Sequence, residues 1–274
     1  MFLKRFLAPI FAIIMCLASL SAHSKNTPDT ARFAVYNIRE LSTDLLTLVD
    51  ENGRGMDAQV LAAARVIKKV RPDVLLICEL DHDYTERAKG LELNARRFLD
   101  HYLNIGEDPI DYPHIYAAPS NTGILSGYDL NNDGIIATEE DRGTREYGND
   151  CYGYGTYPGQ YSMVLLSKYP IDRENARAFR KFLWKDLPGN HLPEDFLTEE
   201  AIDVFRLSSK SHWDVPIKIN NQSIHVLASH PTPQGFDGPE DRNGRRNFDE
   251  IKLWAEILND NKTIYDDEGN PGGL

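Results

Sequence analysis

Cysteine is scarce in this chain: three residues in 274, Cys16, Cys78 and Cys151. That excludes a small disulfide-framed scaffold and a cysteine-rich zinc module. A positive charge balance is missing too. Lys and Arg number 30 against 42 Asp and Glu, giving a net charge of −12 and a pI near 5.1. A surface of that sign excludes stable coating of a nucleic-acid backbone, which needs clustered basic side chains. It leaves open chemistry on a phosphate ester, because a bound divalent cation brings its own positive charge. Long apolar runs are absent after the first two dozen residues, so no later segment reads as a membrane span. Repeats and low-complexity tracts are also absent.

What is present begins with an export signal over residues 1–24. Lys4 and Arg5 precede a nearly continuous apolar run from Phe6 to Leu20, and small residues follow. The run is short for a spanning helix, so the expected location is periplasmic or extracellular. Cys16 follows the bulky Met15 and reads as an ordinary residue of that segment. The rest, 25–274, is long enough for one α/β domain. In an oxidising compartment Cys78 and Cys151 could pair, yet Cys78 lies in an apolar strand where a free thiol acts as a small hydrophobe. Both readings stand.

Residues 32–38, 73–79 and 161–167 read as strands, and 57–70 and 86–103 as helices. A strand–helix–strand start argues for layered α/β architecture. HWDVPIKI and SIHVLASH read as a hairpin across Asn220-Asn221, with Trp213, Val215, Ile217 and Ile219 on one face and the other face wet. Asn247 and Glu250 fit a capping box opening a helix with a stripe of Phe248, Ile251, Trp254, Ala255 and Leu258. Residues 105–160 form a loop-like insertion too long to be an idle connection.

Three strands end in polar groups: Asn37 after RFAVY, Glu79 after DVLLIC and His230 after QSIHVLAS. By alternation Asn37 shares a face with Phe33 and Val35, Glu79 with Leu75 and Ile77, and His230 with Ile224, Val226 and Ala228. On neighbouring strands these endings would make one polar site. Arg242, Arg245 and Arg246 follow His230. They either clamp a substrate phosphate by bidentate bonds or pair with Asp237, Glu240, Asp241 and Asp249.

The blocks YNIRE, RPDVLLICELD, GQYSMVLLSKYPI and the strand running into SHPTPQG occur in that order. Together they resemble the endonuclease/exonuclease/phosphatase superfamily, typified by deoxyribonuclease I, over roughly residues 31–274. The resemblance implies a deoxyribonuclease I-like four-layer sandwich: two packed mixed sheets with outer helices. It also implies a phosphoesterase, with Glu79 and Asn37 holding Mg²⁺ or Mn²⁺, and His230 and Tyr161 near the scissile phosphate. The substrate class would be extracellular nucleic acid or a small organic phosphate. The family's later Gly-Asp-x-Asn and Ser-Asp-His blocks have no counterpart here, so the C-terminal strands are expected to be missing and the chain to be a fragment.

Inside the insertion, residues 129–140 read DLNNDGIIATEE. Asp129, Asn131 and Asp133 occupy the first, third and fifth positions of an EF-hand loop, and Gly134 the sixth. Ile135 supplies the backbone carbonyl at the seventh, and Glu140 the carboxylate at the twelfth. This predicts a structural Ca²⁺ site that pins the insertion. The alternative to a working enzyme is a secreted calcium-binding module of the same fold without catalysis.

Overall fold

The computed structural model describes residues 30–84 and 90–274; the export signal at 1–24 and the start of the helix expected at 86–103 lie outside them. β1 (Phe33–Leu41), α1 (Thr43–Thr47), α2 (Ala58–Val70) and β2 (Val74–Leu80) come first. Asp57 caps α2 by accepting the Val60 N–H at 2.9 Å. Arg71, in left-handed conformation ahead of Pro72, closes it. α3 (Gly90–Phe98) continues into a π turn, Leu99–Leu103. The insertion contains β3 (His114–Tyr116), a short 3₁₀ turn at Glu139–Asp141 and α4 (Arg145–Asn149). Then follow β4 (Met163–Ser167), β5 (Arg177–Ala178), α5 (Glu199–Val204), β6 (His212–Ile219), β7 (Gln222–Ser229) and α6 (Arg242–Leu258).

One sheet has the order β1-β2-β4-β3 and the other β5-β6-β7. β1 and β2 are parallel, with Phe33 opposite Val74 and Asn37 opposite Cys78; β4 runs antiparallel to β2. Val74, Leu76, Cys78, Met163 and Leu165 of the first sheet pack against Trp213, Val215, Ile217, Ile219 and Ala228 of the second. The opposite face of the first sheet, through Leu75, Ile77, Val164 and Leu166, packs on α2 and α3. A third core joins α5, α6 and the segment from Phe179 to Leu207. These are the two packed sheets with outer helices expected of a deoxyribonuclease I-like fold, except that only the first sheet is mixed and the second, as described, is antiparallel throughout.

Asn220 and Asn221 both have positive φ (50° and 65°), as a tight hairpin turn between right-twisted strands requires. Three expectations change. The second face of β6 is not wet: His212, Asp214 and Pro216 are buried and only Lys218 is exposed. α6 and β7 supply the cover, for His212 Nε2 meets the Glu250 carbonyl at 2.8 Å and Asp214 accepts from His225 at 2.7 Å. α6 starts at Arg242 rather than Asn247, so Asn247 and Glu250 lie in the helix interior and form no capping box. Its buried face is Arg246, Asp249, Glu250, Leu253 and Ile257, whereas Phe248, Ile251 and Leu258 are exposed. Finally, the insertion is more than loop, because β3 completes the first sheet against β4. Gly123 (φ +66°) packs so close to the Tyr157 carbonyl that any Cβ there would collide with it.

Cys78 and Cys151 are both buried and unpaired. Burial pushes each thiol up to about 12. The thiolate is the reactive form, so both should label at least about a hundredfold more slowly in the native protein than in denaturant. Peptide mass mapping after timed alkylation measures this; native labelling of either at the unfolded rate would contradict the packing.

Candidate functional site

Plain alternation separates Asn37 from Glu79. Asn37 pairs with Cys78 and points to the inter-sheet face, while a regular β2 would carry Glu79 to the helix side with Leu75 and Ile77. A bulge reverses this. The N–H groups of Glu79 and Leu80 both donate to the Ser162 carbonyl, at 2.9 and 3.2 Å, and Glu79 takes a φ of 65°. The extra residue re-aims the carboxylate, and Asn37 Nδ2 donates to Glu79 Oε1 at 2.8 Å. The Glu40 N–H donates to Oε2 at 3.3 Å. Arg39, Glu40 and Tyr161 also have positive φ. Left-handed non-glycine residues cost of order 1–3 kcal/mol each and gather where geometry matters more than comfort.

His230, just past β7, brings Nε2 to 3.8 Å from Glu79 Oε1 and is the ion-pair neighbour of Glu79 among the described residues. Burial and the nearby Lys210 ammonium push this imidazole down to about 3, so it is neutral at physiological pH. Tyr161 stands at the entrance of β4 and donates its N–H to Asp81 Oδ1 at 2.9 Å. Burial and the carboxylates around it push its phenol up to about 12, so the hydroxyl stays protonated. The structure thus brings Asn37, Glu79, Tyr161 and His230 to one rim of the sandwich. Asn37 Oδ1 accepts from the Arg39 N–H at 3.0 Å, so here this residue orients the carboxylate.

Several residues of this rim carried no signal in the sequence. Asp81 is buried, accepts from the Tyr157 hydroxyl at 2.5 Å, and is pushed up to about 7 by burial. Glu40 accepts from Gln160 Nε2 at 2.8 Å. Lys210 is 7% exposed; burial pushes its amine below the usual lysine range, while Glu250 and Glu79 favour its charged form and Arg246 opposes it. Glu250 accepts from Ser209 N (2.7 Å), Ser209 Oγ (3.0 Å) and Thr232 N (2.5 Å), tying the chain entering β6 to the chain leaving His230. Asp81 sits two residues past Glu79, which was the one available hint; Lys210 and Glu250 lie in segments whose pattern points elsewhere.

The three arginines divide. Arg246 is buried and donates to the carbonyls of Leu207 (2.9 Å), Arg206 (2.9 Å) and Tyr152 (2.5 Å). Arg242 donates to the Leu130 carbonyl. Both tie segments of the fold together through backbone carbonyls. Arg245 lines a surface cavity.

In the 129–140 loop Gly134 has φ +84°, as a sixth position needs. Asp129 accepts the N–H groups of Asp133 (3.2 Å) and Gly134 (2.8 Å), and Asp133 that of Ile135 (2.9 Å). Asn131 donates to Asp133 at 2.7 Å, and Glu140 lies in the 3₁₀ turn. Buried Asp150 fastens both ends, accepting from Leu130 N (2.9 Å) and Ala137 N (2.7 Å). Among the described residues no three His, Cys, Asp or Glu side chains converge as a metal cluster, at this loop or at Glu79.

A cavity of about 500 Å³ lies at the other end of the first sheet between Thr30, Arg32, Arg71, Asp73 and Lys168. Its one carboxylate, Asp73, is taken by Lys168 at 2.9 Å and by the Arg32 backbone N–H, and the Arg32 and Arg71 guanidiniums donate to backbone carbonyls. The chemistry-bearing side chains favour the Glu79 rim.

The chain is similar to several solved structures. A beta-hairpin deletion mutant of beta toxin from Staphylococcus aureus is 15% identical (TM-score 0.34), the alignment covering 85% of this chain and 63% of that one. Sphingomyelinase C from Streptomyces griseocarneus is 18% identical (TM-score 0.35; 84% and 59% covered). An endonuclease/exonuclease/phosphatase family protein from Leptotrichia buccalis is 12% identical (TM-score 0.39; 82% and 61% covered). The chain thus spans about three fifths of the length of these proteins. No curated protein matches the sequence. The family model for endonuclease/exonuclease/phosphatase proteins matches residues 34–264, most of the sheets and the whole rim, and the chain belongs to that family.

Proposed function

We propose that the protein is an exported, divalent-metal-dependent phosphoesterase acting at the Asn37–Glu79–His230 rim. The observation that carries this is Glu79: a carboxylate aimed by a bulge, held by Asn37 and beside a neutral imidazole. Such a group fits Mg²⁺ or Mn²⁺, hard cations often held by one or two carboxylates with water filling the other positions. When bound, the cation neutralises phosphate charge and makes a coordinated water more acidic.

The chain's own residues do the rest. Asn37 keeps the Glu79 carboxylate in one rotamer. His230, neutral, offers a ring N–H to a non-bridging phosphate oxygen without repelling a metal. The protonated Tyr161 hydroxyl is a second donor. Extracellular nucleic acid or a small organic phosphate is the substrate class. The net charge of −12 speaks against a tight coat on a polymer. Among the described residues no helix is long and apolar enough to cross a membrane. Export rests on the sequence of residues 1–24.

We propose further that the working domain has strands beyond those described. Phe33 and Val35, on the inter-sheet face of edge strand β1, are 45% and 68% exposed, and Ile224 on edge strand β7 is 36% exposed. Apolar side chains on open sheet edges call for a covering strand. The test of the function is turnover of a model phosphodiester with Mg²⁺ or Mn²⁺ against the same protein in chelator; equal rates would refute metal dependence.

The 129–140 loop is proposed to hold Ca²⁺ as a structural pin, supported by its ligand pattern, Gly134 and the Asp150 clamp. Calcium should slow proteolysis between residues 125 and 145, and Asp129→Ala should abolish that protection. Equal cleavage with and without calcium would refute the pin.

A further inference from the structure

A cavity of about 380 Å³ lies over the first turns of α6, lined by His191, Gln234, Asp241, Gly244, Arg245 and Phe248. Its histidine is built in. Asp249, fully buried, accepts His191 Nδ1 at 2.8 Å and the His191 backbone N–H at 2.6 Å, and is itself fixed by Trp184 Nε1 at 2.6 Å. With Nδ1 engaged, Nε2 is the ring nitrogen left for a ligand. The Phe248 ring stands edge-on to the imidazole, centroids 4.9 Å apart at 80°, and is 57% exposed. Arg245 forms no ion pair among the described residues, although Asp241 is close by on the same rim.

The cavity and the rim are joined by one stretch of chain. Gln234 lies on the chain leaving His230, and Asn247 holds that chain by donating to the Thr232 carbonyl at 2.6 Å and accepting from Gln234 Nε2 at 3.2 Å.

We propose that this cavity is a second binding site, for a phosphorylated sugar unit. Arg245 and His191 take the phosphate oxygens, Asp241 and Gln234 take sugar hydroxyls, and the C–H face of the ring lies on Phe248. A guanidinium is the natural bidentate partner of a phosphate, an aromatic face accepts the apolar side of a ring, and a carboxylate on the rim suits a ligand carrying hydroxyl donors better than a bare anion. The proposal deepens the phosphoesterase reading by placing a sugar phosphate away from the scissile bond, whether that unit belongs to a nucleic acid or to a small organic phosphate.

The test is titration of the full chain, in chelator, with inorganic phosphate, ribose 5-phosphate and adenosine 5′-monophosphate, following the His191 ring signal by NMR. Ribose 5-phosphate should shift that signal and bind more tightly than inorganic phosphate. Arg245→Ala should weaken it about tenfold or more, the worth of a charge-assisted pair, and Phe248→Ala should weaken the sugar phosphate but not inorganic phosphate. Tighter adenosine 5′-monophosphate binding would assign the site to nucleotide units; equal binding of the two sugar phosphates would assign it to sugar phosphates in general. Glu79→Ala, which should remove hydrolysis, should leave this titration unchanged, so the two readings fail separately. An unmoved His191 signal with all three probes, or the same affinity in Arg245→Ala, would overturn the second site.

Discussion

Glu79→Ala is expected to lower metal-supported phosphodiester turnover by about a thousandfold or more, the scale on which losing a transition-state charge partner is felt. The argument rests on position. Glu79 is aimed by a bulge and held by Asn37 and the Glu40 N–H, and its ion-pair neighbour among the described residues is a neutral imidazole. Glu79→Gln sharpens the test, because a glutamine oxygen can still accept from Asn37 and only the charge is lost. If charge on this atom pair is what matters, glutamine and alanine should be about equally inactive. His230→Ala should be nearly as damaging. Turnover within about tenfold of the parent in the Glu79 and His230 variants alike would remove the site from the rim.

The largest effect on stability is expected at Glu250. Its carboxylate is 1% exposed and satisfies three donors, two on Ser209 and one on Thr232. It also faces the buried Lys210 amine and favours its charged form, against burial and the neighbouring Arg246. Glu250→Ala leaves two backbone N–H groups and a buried ammonium without their partner, a change that costs about 3–5 kcal/mol. For a chain of this size that is a fall in melting temperature of about 10 °C. Glu250→Gln, which keeps one acceptor, should fall between. Because the same carboxylate positions the chain leaving His230, turnover should drop in both variants even below their melting temperatures. A melting temperature within about 2 °C of the parent would show that the Ser209–Thr232 tie is dispensable.

Much of the architecture was legible from periodicity. The parallel β1–α2–β2 start, the Asn220-Asn221 hairpin and the strand ends near Glu79 and His230 follow from short apolar runs bounded by polar residues, whereas β1 does not end at Asn37 but runs on to Leu41. Two things were not legible, for one physical reason: alternation and helical spacing assume regular backbone. At Glu79 a bulge inverts the face, so counting residues separates two side chains that in fact touch. In α6 Phe248, Ile251 and Leu258 of the apolar stripe are exposed, and the buried face carries Arg246, Asp249 and Glu250 beside Leu253 and Ile257, because those charges find carbonyls, ring N–H groups and backbone N–H groups to satisfy them. Hydrophobic patterning cannot see a charge that is buried because it is partnered. For the same reason sequence left open whether Arg242 and Arg246 clamp a phosphate or pair with nearby acids, whereas half-buried Arg242 and buried Arg246 both donate to backbone carbonyls.

The most direct test of the central claim is a calorimetric titration of Mn²⁺ into three chains: the parent, Glu79→Ala and Asp129→Ala. The account predicts a Mn²⁺ site lost in Glu79→Ala and kept in Asp129→Ala. Binding that survives Glu79→Ala and disappears with Asp129→Ala would place the metal in the calcium-type loop and leave the rim without its proposed chemistry.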